Sequence, residues 1–268
     1  MGESSHDGIG AFGHSVDRRI DMDGIVAACV AEGMRHGWVA ETLEPDSDTP
    51  LTVMRRCGEP DGKTLYVSAG MHGDEPAPPL AILRLLRRNA WSAGLNLLVC
   101  PCLNPTGFRH GRRENKDGID LNRQYHLPTA APSEPRKHVE WLRSQGRIDA
   151  ALCLHEDWES LGFYLYELLR DERDSLARDV LESVKGGSAV DFSNQIDGMA
   201  AKEGVIAPRG DYGEMLQEWP EAIWLIENKT DLCYTFETSS ANPLILRVAA
   251  QVNAVNTVAA RLAESHPG

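Results

Sequence analysis

The sequence predicts an α/β fold in which a mostly parallel or mixed sheet is covered by helices on both faces. Apolar runs of strand length alternate with segments whose apolar residues follow helical spacing. The strand-like runs are almost continuously apolar, as expected for strands that are buried on both faces. No linker with a shift in composition divides the chain. Residues 1–268 are therefore expected to form one domain, and the Gly- and Ser-rich residues 1–19 a flexible tail.

The elements of the amino-terminal half follow from periodicity and from turn residues. Apolar residues at helical spacing predict the helices, and Pro76 suits the start of the second one. Turns rich in Pro, Asp, Ser and Gly separate the strands. The predicted elements are a helix at 20–36, an antiparallel strand pair at 38–43 and 51–56, a strand at 64–70, a helix at 76–89 and a strand at 95–102.

The carboxy-terminal half continues the alternation with less regular stretches between the elements. Residues 104–126 are expected to be rich in loops, and residues 192–216, which are poorly patterned, to form long surface loops. A glycine ends the helix that follows the first of these stretches. The predicted elements are helices at 134–146, 171–185 and 244–263, and strands at 149–154, 162–168, 222–226 and 232–238.

Composition and charge limit the possible partners and the compartment. The formal net charge is −13, and acidic residues are spread along the chain, which disfavours nucleic acid and anionic membranes as partners. The six cysteines show no disulfide or metal-binding spacing, which indicates small buried residues in a reducing compartment. Residues 1–19 lack the cationic start and apolar core of a secretory signal, and no apolar run approaches the length of a membrane span. A cytoplasmic location is therefore expected.

Three residues at two predicted strand ends form a candidate metal site. His72 and Glu75 follow the strand at 64–70, and His155 ends the strand at 149–154. Two histidines and one glutamate would leave a zinc ion one open position, as in hydrolytic zinc sites. Taken alone, a His-x-x-Glu pair is common. The other histidines have no such placement, and His36, His138 and His266 are expected at the surface.

Four further residues could complete a hydrolytic site. Glu237 ends an apolar strand, where a carboxylate is costly to bury unless it is used, so it could act as a general base. Arg113 could stabilise an oxyanion, and Asn122 with Arg123 could bind a substrate carboxylate. Seen alone, the glutamate could equally be solvated and the basic residues could lie on a loop surface.

Taken in order, these motifs resemble the zinc carboxypeptidases of the carboxypeptidase A-like metallopeptidase family. The motifs are His72-Gly-Asp-Glu75, Asn104-Pro-Thr-Gly107, Arg113-Glu-Asn-Lys-Asp-Gly-Ile-Asp-Leu-Asn122-Arg123, His155 and Thr235-Phe-Glu237. The resemblance extends from about Leu51 to the carboxy terminus. It implies a three-layer α/β/α sandwich with a mixed, mostly parallel eight-stranded sheet of the phosphorylase/hydrolase type.

The resemblance also implies a role for each motif residue. His72, Glu75 and His155 would bind one Zn²⁺ per chain, and Glu237 would be the general base and acid. Arg113 would stabilise the oxyanion. Asn122 and Arg123 would bind the free carboxylate of a peptide or N-acyl amino acid.

Two departures from the family pattern refine the comparison. Asp74 occupies a position where secreted members usually have arginine, which resembles the bacterial intracellular peptidase and peptide-amidase branch and the aspartoacylase/succinylglutamate desuccinylase branch. Tyr212, 25 residues before Glu237, is the candidate for the family's mobile active-site tyrosine.

Three functions are compatible with these residues. The first is a cytoplasmic zinc peptidase or amidase that acts next to a free carboxylate. The second is an aspartoacylase-like deacylase of N-acyl amino acids. That branch carries an additional β domain after the base, whereas 31 residues follow Glu237 here. The third is a zinc-binding family member without catalytic activity.

Overall fold

A computed structural model describes residues 20–44, 47–126, 129–170, 174–210 and 218–264. Its main feature is an eight-stranded sheet with the strand order β1-β2-β4-β3-β5-β10-β6-β9. The strands are β1 Val39–Leu43, β2 Leu51–Arg56, β3 Thr64–Ser68, β4 Asn96–Cys100, β5 Ala150–Asp157, β6 Tyr164–Leu169, β7 Gln195–Ile196, β8 Met199–Ala200, β9 Val205–Ile206 and β10 Leu232–Ser239. Strands β7 and β8 form a separate two-stranded hairpin.

The sheet is mixed, and three of its four parallel pairs lie in the centre. Strands β4, β3, β5 and β10 run parallel to one another, the pairs β1-β2, β2-β4 and β10-β6 are antiparallel, and β6 and β9 pair parallel at one edge. The predicted antiparallel pair is confirmed, with Leu43 opposite Leu51. The carboxyl ends of the central strands therefore meet at one edge of the sheet, which is where ligand sites form in such folds.

Helices cover both faces of this sheet. The helices are α1 Met22–Arg35, α2 Ala77–Arg88, α3 Pro105–His110, α4 Ser133–Ser144, α5 Ala177–Val184, α6 Glu221–Asn228 and α7 Leu244–Glu264. Alternate strand residues face opposite layers. Leu65 and Val67 belong to a core shared with α1, α2, α5 and α7, while Tyr66 belongs to a second core shared with α4 and α6. The predicted three-layer α/β/α sandwich with a mixed eight-stranded sheet is thus confirmed.

One predicted strand is wrong. Residues 222–226 form most of helix α6, which begins after Pro220 and carries Glu221 in its first turn. All five residues are buried. Because these consecutive residues are all buried, the run shows no polar face and looks like that of a buried strand.

The remaining differences concern irregular stretches. The loop-rich segment contains α3, capped by Asn104, and a short 3-10 helix at Leu121–Arg123. The helix predicted at 171–185 begins only at Ala177, because residues 174–176 are not helical; residues 171–173 lie outside the described ranges. The stretch predicted as surface loops contains β7, β8 and β9, and its residues 211–217 also lie outside those ranges. Within the described chain, no helix combines the length and apolar character needed to cross a bilayer.

Candidate metal centre and active site

The turn after β3 carries His72 and Glu75 and is held close to neighbouring backbone. Gly70 has φ +65, and a Cβ at Gly73 would lie 2.1 Å from the carbonyl carbon of Gly107. Glycine at these positions lets the turn bend sharply against the segment that follows β4. The result is that Nδ1 of His72 lies 2.6 Å from Oε1 of Glu75, and both side chains are buried.

His155 reaches the same place from the end of β5. Its Nδ1 lies 3.1 Å from Oε2 of Glu75, and its main-chain oxygen accepts a hydrogen bond of 2.8 Å from Gln251 on α7. One ligand atom each from His72, Glu75 and His155 lie within 4.8 Å of one another. Two imidazole nitrogens therefore converge on one buried carboxylate, an arrangement that could hold a metal ion.

The charges of this cluster depend on one another. Burial alone would lower the pKa of His72, but the carboxylates of Glu75 and Asp120 raise it to about 9. Burial would likewise raise the pKa of Glu75, but the two histidines lower it to about 2. The carboxylate is thus anionic at neutral pH and favours a cation beside it, whether a proton or a metal ion.

Asp120 is a site residue to which the sequence had assigned no role. Its Oδ1 lies 3.3 Å from Nε2 of His72, and its Oδ2 accepts a hydrogen bond of 3.1 Å from Nε of Arg113. A carboxylate behind a ligand histidine fixes the ring and leaves Nδ1 for the metal. Nη1 of Arg113 in turn lies 3.2 Å from Nδ1 of His72 and 3.8 Å from Oε1 of Glu75. Asp120 belongs to the Gly-Ile-Asp-Leu-Asn-Arg motif, and this motif is the sequence feature that could have identified it as a site residue.

Asn122 and Arg123 lie together on the 3-10 helix and line the same cavity as the histidines. Oδ1 of Asn122 accepts a hydrogen bond of 2.9 Å from the main-chain N–H of Glu221. Nη1 of Arg123 donates to the main-chain oxygen of Asn122 over 3.1 Å. This arrangement leaves the Asn122 amide group and the rest of the guanidinium as donors for an anion.

Glu237 lies at the end of β10, directly opposite His155 in the parallel pair. Its Oε2 is buried and has no hydrogen-bond partner among the described residues. Burial raises the pKa of Glu237 well above its ordinary value; His155 opposes the shift, and Glu75 adds to it. A carboxyl group with a raised pKa beside a candidate metal site is suited to accepting and returning a proton.

One cavity of about 720 Å³ joins these groups. His72, Glu75, Arg113, Asn122, Arg123, His155 and Glu237 all line it. Leu168, Ala222 and Ile223 contribute an apolar part of its wall, and Trp158, whose side chain is 79% exposed, contributes another part. The structure therefore brings seven of the eight predicted site residues together, and the eighth, Tyr212, lies outside the described residues.

His138 does not fit its predicted place at the surface. It is fully buried on α4 between the hydroxyls of Tyr66 and Tyr125, at 2.8 Å from each. The prediction was wrong because α4 faces the sheet with this residue, and two hydroxyl partners compensate for its burial: Tyr66 on the sheet and Tyr125 just after the 3-10 helix.

Two solved structures at 25% identity resemble the chain over almost their whole length. They are proteins from Shewanella baltica and Shewanella amazonensis, described as candidate metallopeptidases, with TM-scores of 0.77 and 0.78. The alignments cover 91% of this chain and 93% and 94% of those chains. No curated protein matches the chain significantly in sequence.

A Pseudomonas aeruginosa metallo-carboxypeptidase, solved with (2-guanidinoethylmercapto)succinic acid, shares the fold. It has a TM-score of 0.64 at 17% identity, and the alignment covers 88% of this chain and 67% of that one. These neighbours and the family match below confirm the predicted relationship to the zinc carboxypeptidases and indicate a metallopeptidase-like hydrolase.

Residues 61–196 match the family described as the succinylglutamate desuccinylase/aspartoacylase catalytic domain. This segment is half of the chain and carries the three candidate metal ligands, Arg113 and the Asn122-Arg123 pair. The chain belongs to the succinylglutamate desuccinylase/aspartoacylase catalytic domain family.

Proposed function

We propose that the chain is a zinc-dependent hydrolase that cleaves the amide bond next to a residue with a free carboxylate. The observation that carries this proposal is the convergence of three buried ligand atoms within 4.8 Å on a cavity that Glu237 and Arg123 also line. A metal site, a proton acceptor and a carboxylate-binding pair within one cavity are what hydrolysis of such a substrate requires.

The donor set fits one zinc ion per chain. Two imidazole nitrogens and a carboxylate are the ligands of many hydrolytic zinc sites, and they leave a position open for water or substrate. In His72, the carboxylate of Asp120 lies near Nε2 and so supports Nδ1 as the ligand atom. A bound zinc ion would polarise the scissile carbonyl group and lower the pKa of water.

The chain's own residues would carry the proton and hold the substrate. Glu237 takes a proton from the attacking water and gives it to the leaving amine, for which its raised pKa suits it. Arg113, anchored by Asp120, donates to the oxygen that gains negative charge. Asn122 and Arg123 bind the substrate carboxylate through the amide group and the guanidinium.

The cavity wall supports an apolar side chain on the residue that carries this carboxylate. Leu168, Ala222 and Ile223 line the cavity, and Pro220 lies at the start of α6 beside them. An acidic side chain is disfavoured, because no lysine or arginine other than Arg113 and Arg123 lines the described part of the cavity and five further carboxylates do: Glu156, Asp157, Glu159, Asp197 and Glu218. An apolar wall stabilises a hydrophobic side chain through the area removed from water.

A peptidase or peptide amidase and an N-acyl amino acid deacylase both fit this description. The deacylase is favoured by the match of residues 61–196 to the desuccinylase/aspartoacylase family, and the peptidase by the metallopeptidase-like neighbours. Both reactions cleave an amide next to a carboxylate, so the residue roles above serve either one.

A cytoplasmic location and a single catalytic domain are part of the same proposal. All six cysteines are free thiols, and five of them are buried, which suits a reducing compartment. The net charge of −13 disfavours a nucleic acid partner, and only the local basic pair favours the carboxylate of a small substrate.

Metal analysis and a substrate panel test the proposal. Protein purified without chelator should contain close to one zinc per chain. The panel should include dipeptides, γ-glutamyl peptides and N-acyl amino acids, each compared with its carboxamide analogue. Cleavage only of the compounds with a free carboxylate is expected. A protein that neither binds zinc nor becomes active when zinc is added would contradict the proposal.

A further inference from the structure

Two segments beside the candidate carboxylate site are joined by hydrogen bonds that main-chain N–H groups donate. The N–H of Glu221 donates to Oδ1 of Asn122 over 2.9 Å. The N–H of Tyr125 donates to the oxygen of Trp219 over 3.2 Å. The segment that carries Asn122 and Arg123 is thus joined to the start of α6 at two points.

A buried row of side chains joins the same two segments through the core. The Tyr125 hydroxyl lies 2.8 Å from Nδ1 of His138, and Nε2 of His138 lies 2.8 Å from the Tyr66 hydroxyl. Tyr66 in turn donates to Oε1 of Glu221 over 2.6 Å, and Ser68 donates to Oε2 over 2.8 Å. Together with the main-chain bonds, this row closes a ring from Asn122 through Glu221 and Tyr66 to Tyr125.

The hydrogen bonds of this row have one consistent direction. Burial lowers the pKa of His138 to about 3, so the imidazole is neutral at pH 7 and carries a single N–H. Because Tyr66 donates to Glu221, its oxygen accepts the Nε2–H of His138. Nδ1 of His138 then accepts from Tyr125, and every proton of the row has an acceptor.

The ring decides which end of the Asn122 side chain faces the cavity. With Oδ1 held by Glu221, the NH₂ group is the end available to a ligand. An NH₂ group attracts a carboxylate, whereas a flipped amide would present an oxygen to an anion. Carboxylate binding by Asn122 therefore depends on where the start of α6 lies, and the sheet fixes that position through Tyr66 and Ser68.

We propose that Tyr66, His138 and Glu221 are positioning residues that orient Asn122 and Arg123 toward the substrate carboxylate. This inference rests on the proposed function, because it assumes that the pair binds a carboxylate. None of the three side chains lines the cavity, so each acts through Asn122 and the start of α6. The residues are buried, and their hydrogen bonds would hold the orientation before the substrate arrives.

Y66F tests the proposal, with Y234F as its matched control. Each variant removes a buried tyrosine hydroxyl that donates a hydrogen bond to a buried glutamate. The hydroxyl of Tyr66 donates to Glu221, and that of Tyr234 donates to Glu167, which does not line the cavity. With the zinc-loaded enzyme, Y66F should raise the KM for a carboxylate substrate by about tenfold and change kcat little. The inhibition constant of the uncleaved carboxamide analogue should be changed by neither variant. Y234F should leave this constant and the KM for the carboxylate substrate unchanged.

Hydrogen–deuterium exchange at the Glu221 and Tyr125 amides supplies a readout that does not require activity. Exchange at these amides should be faster in Y66F and unchanged in Y234F. If the wild-type protein cleaves nothing while this difference appears, the proposed function fails and the positioning role stands. Equal exchange in wild type and Y66F, or equal KM changes in Y66F and Y234F, would overturn the positioning role. If Y66F does not fold, the same comparison can be made with E221Q as the test variant and E167Q as its control.

Discussion

Neutral His138 makes the stability of the protein depend on pH in a predictable way. Its ordinary pKa is 6.5, and in the folded protein burial lowers it to about 3. Between these values the unfolded chain binds a proton that the folded chain does not, so the free energy of unfolding falls as pH falls. Each pKa unit corresponds to ~1.4 kcal/mol, so acidification from pH 7.5 to 5 should remove about 2 kcal/mol. Below about pH 3 the effect levels off at roughly 5 kcal/mol.

Urea unfolding of the wild type and of H138Q from pH 8 to pH 4.5 measures this contribution. Glutamine can accept from Tyr125 and donate to Tyr66 without titrating, so H138Q keeps both partners of the buried row. H138Q should be less stable than the wild type at pH 8, and this gap should narrow or reverse by pH 5. Both proteins share all other titrating groups, whose effects cancel in the difference. A gap that stays constant within 0.5 kcal/mol would refute the assignment of a neutral buried imidazole.

Three further predictions concern the proposed site. E237Q should retain zinc, and its melting temperature should be no lower than that of the wild type, because the substitution removes a carboxylate with an unpartnered buried oxygen. Its kcat should nevertheless fall by at least ~100-fold. Full activity of E237Q would rule out the base role. R123A should raise the KM for carboxylate substrates with little change in kcat. The control R109A, which removes an exposed ion pair with Asp23, should leave KM unchanged. Equal changes of KM in the two variants would count against a carboxylate-binding role for Arg123. Chelation should abolish hydrolysis and lower the melting temperature measured by calorimetry, and added zinc should restore both. A melting temperature that chelator does not change would argue against a bound metal.

The sequence predicted those parts of the fold and site that depend on strand ends. Apolar runs located the central strands, and polar residues at or just past the ends of these runs located His72, His155 and Glu237. Parallel strands bring their carboxyl ends to one edge, so residues far apart in sequence become neighbours there. Nδ1 of His155 lies 3.1 Å from a carboxylate oxygen of Glu75, which is 80 positions earlier in the chain.

Features that depend on contacts between layers could not be predicted in this way. Helix α6 was mistaken for a strand because its residues 222–226 are all buried and apolar and show no helical periodicity. His138 was assigned to the surface because a histidine near a helix end is usually solvated. Its burial depends on Tyr66 and Tyr125, which reach it from other elements. Neither contact can be inferred from the residues next to His138 in the sequence.

The proposed residue roles explain why family membership and structural likeness point to different substrates. In the proposed reaction, Glu237, Arg113 and the Asn122-Arg123 pair act on the scissile amide and on the residue that carries the carboxylate. A dipeptide and an N-acyl amino acid are alike in both of these parts and differ only on the acyl side of the bond. Discrimination between them must therefore come from cavity residues without a role in the proposed chemistry. Trp158 lines the cavity and is 79% exposed, so it has the unburied apolar area that an acyl group or a further residue would cover.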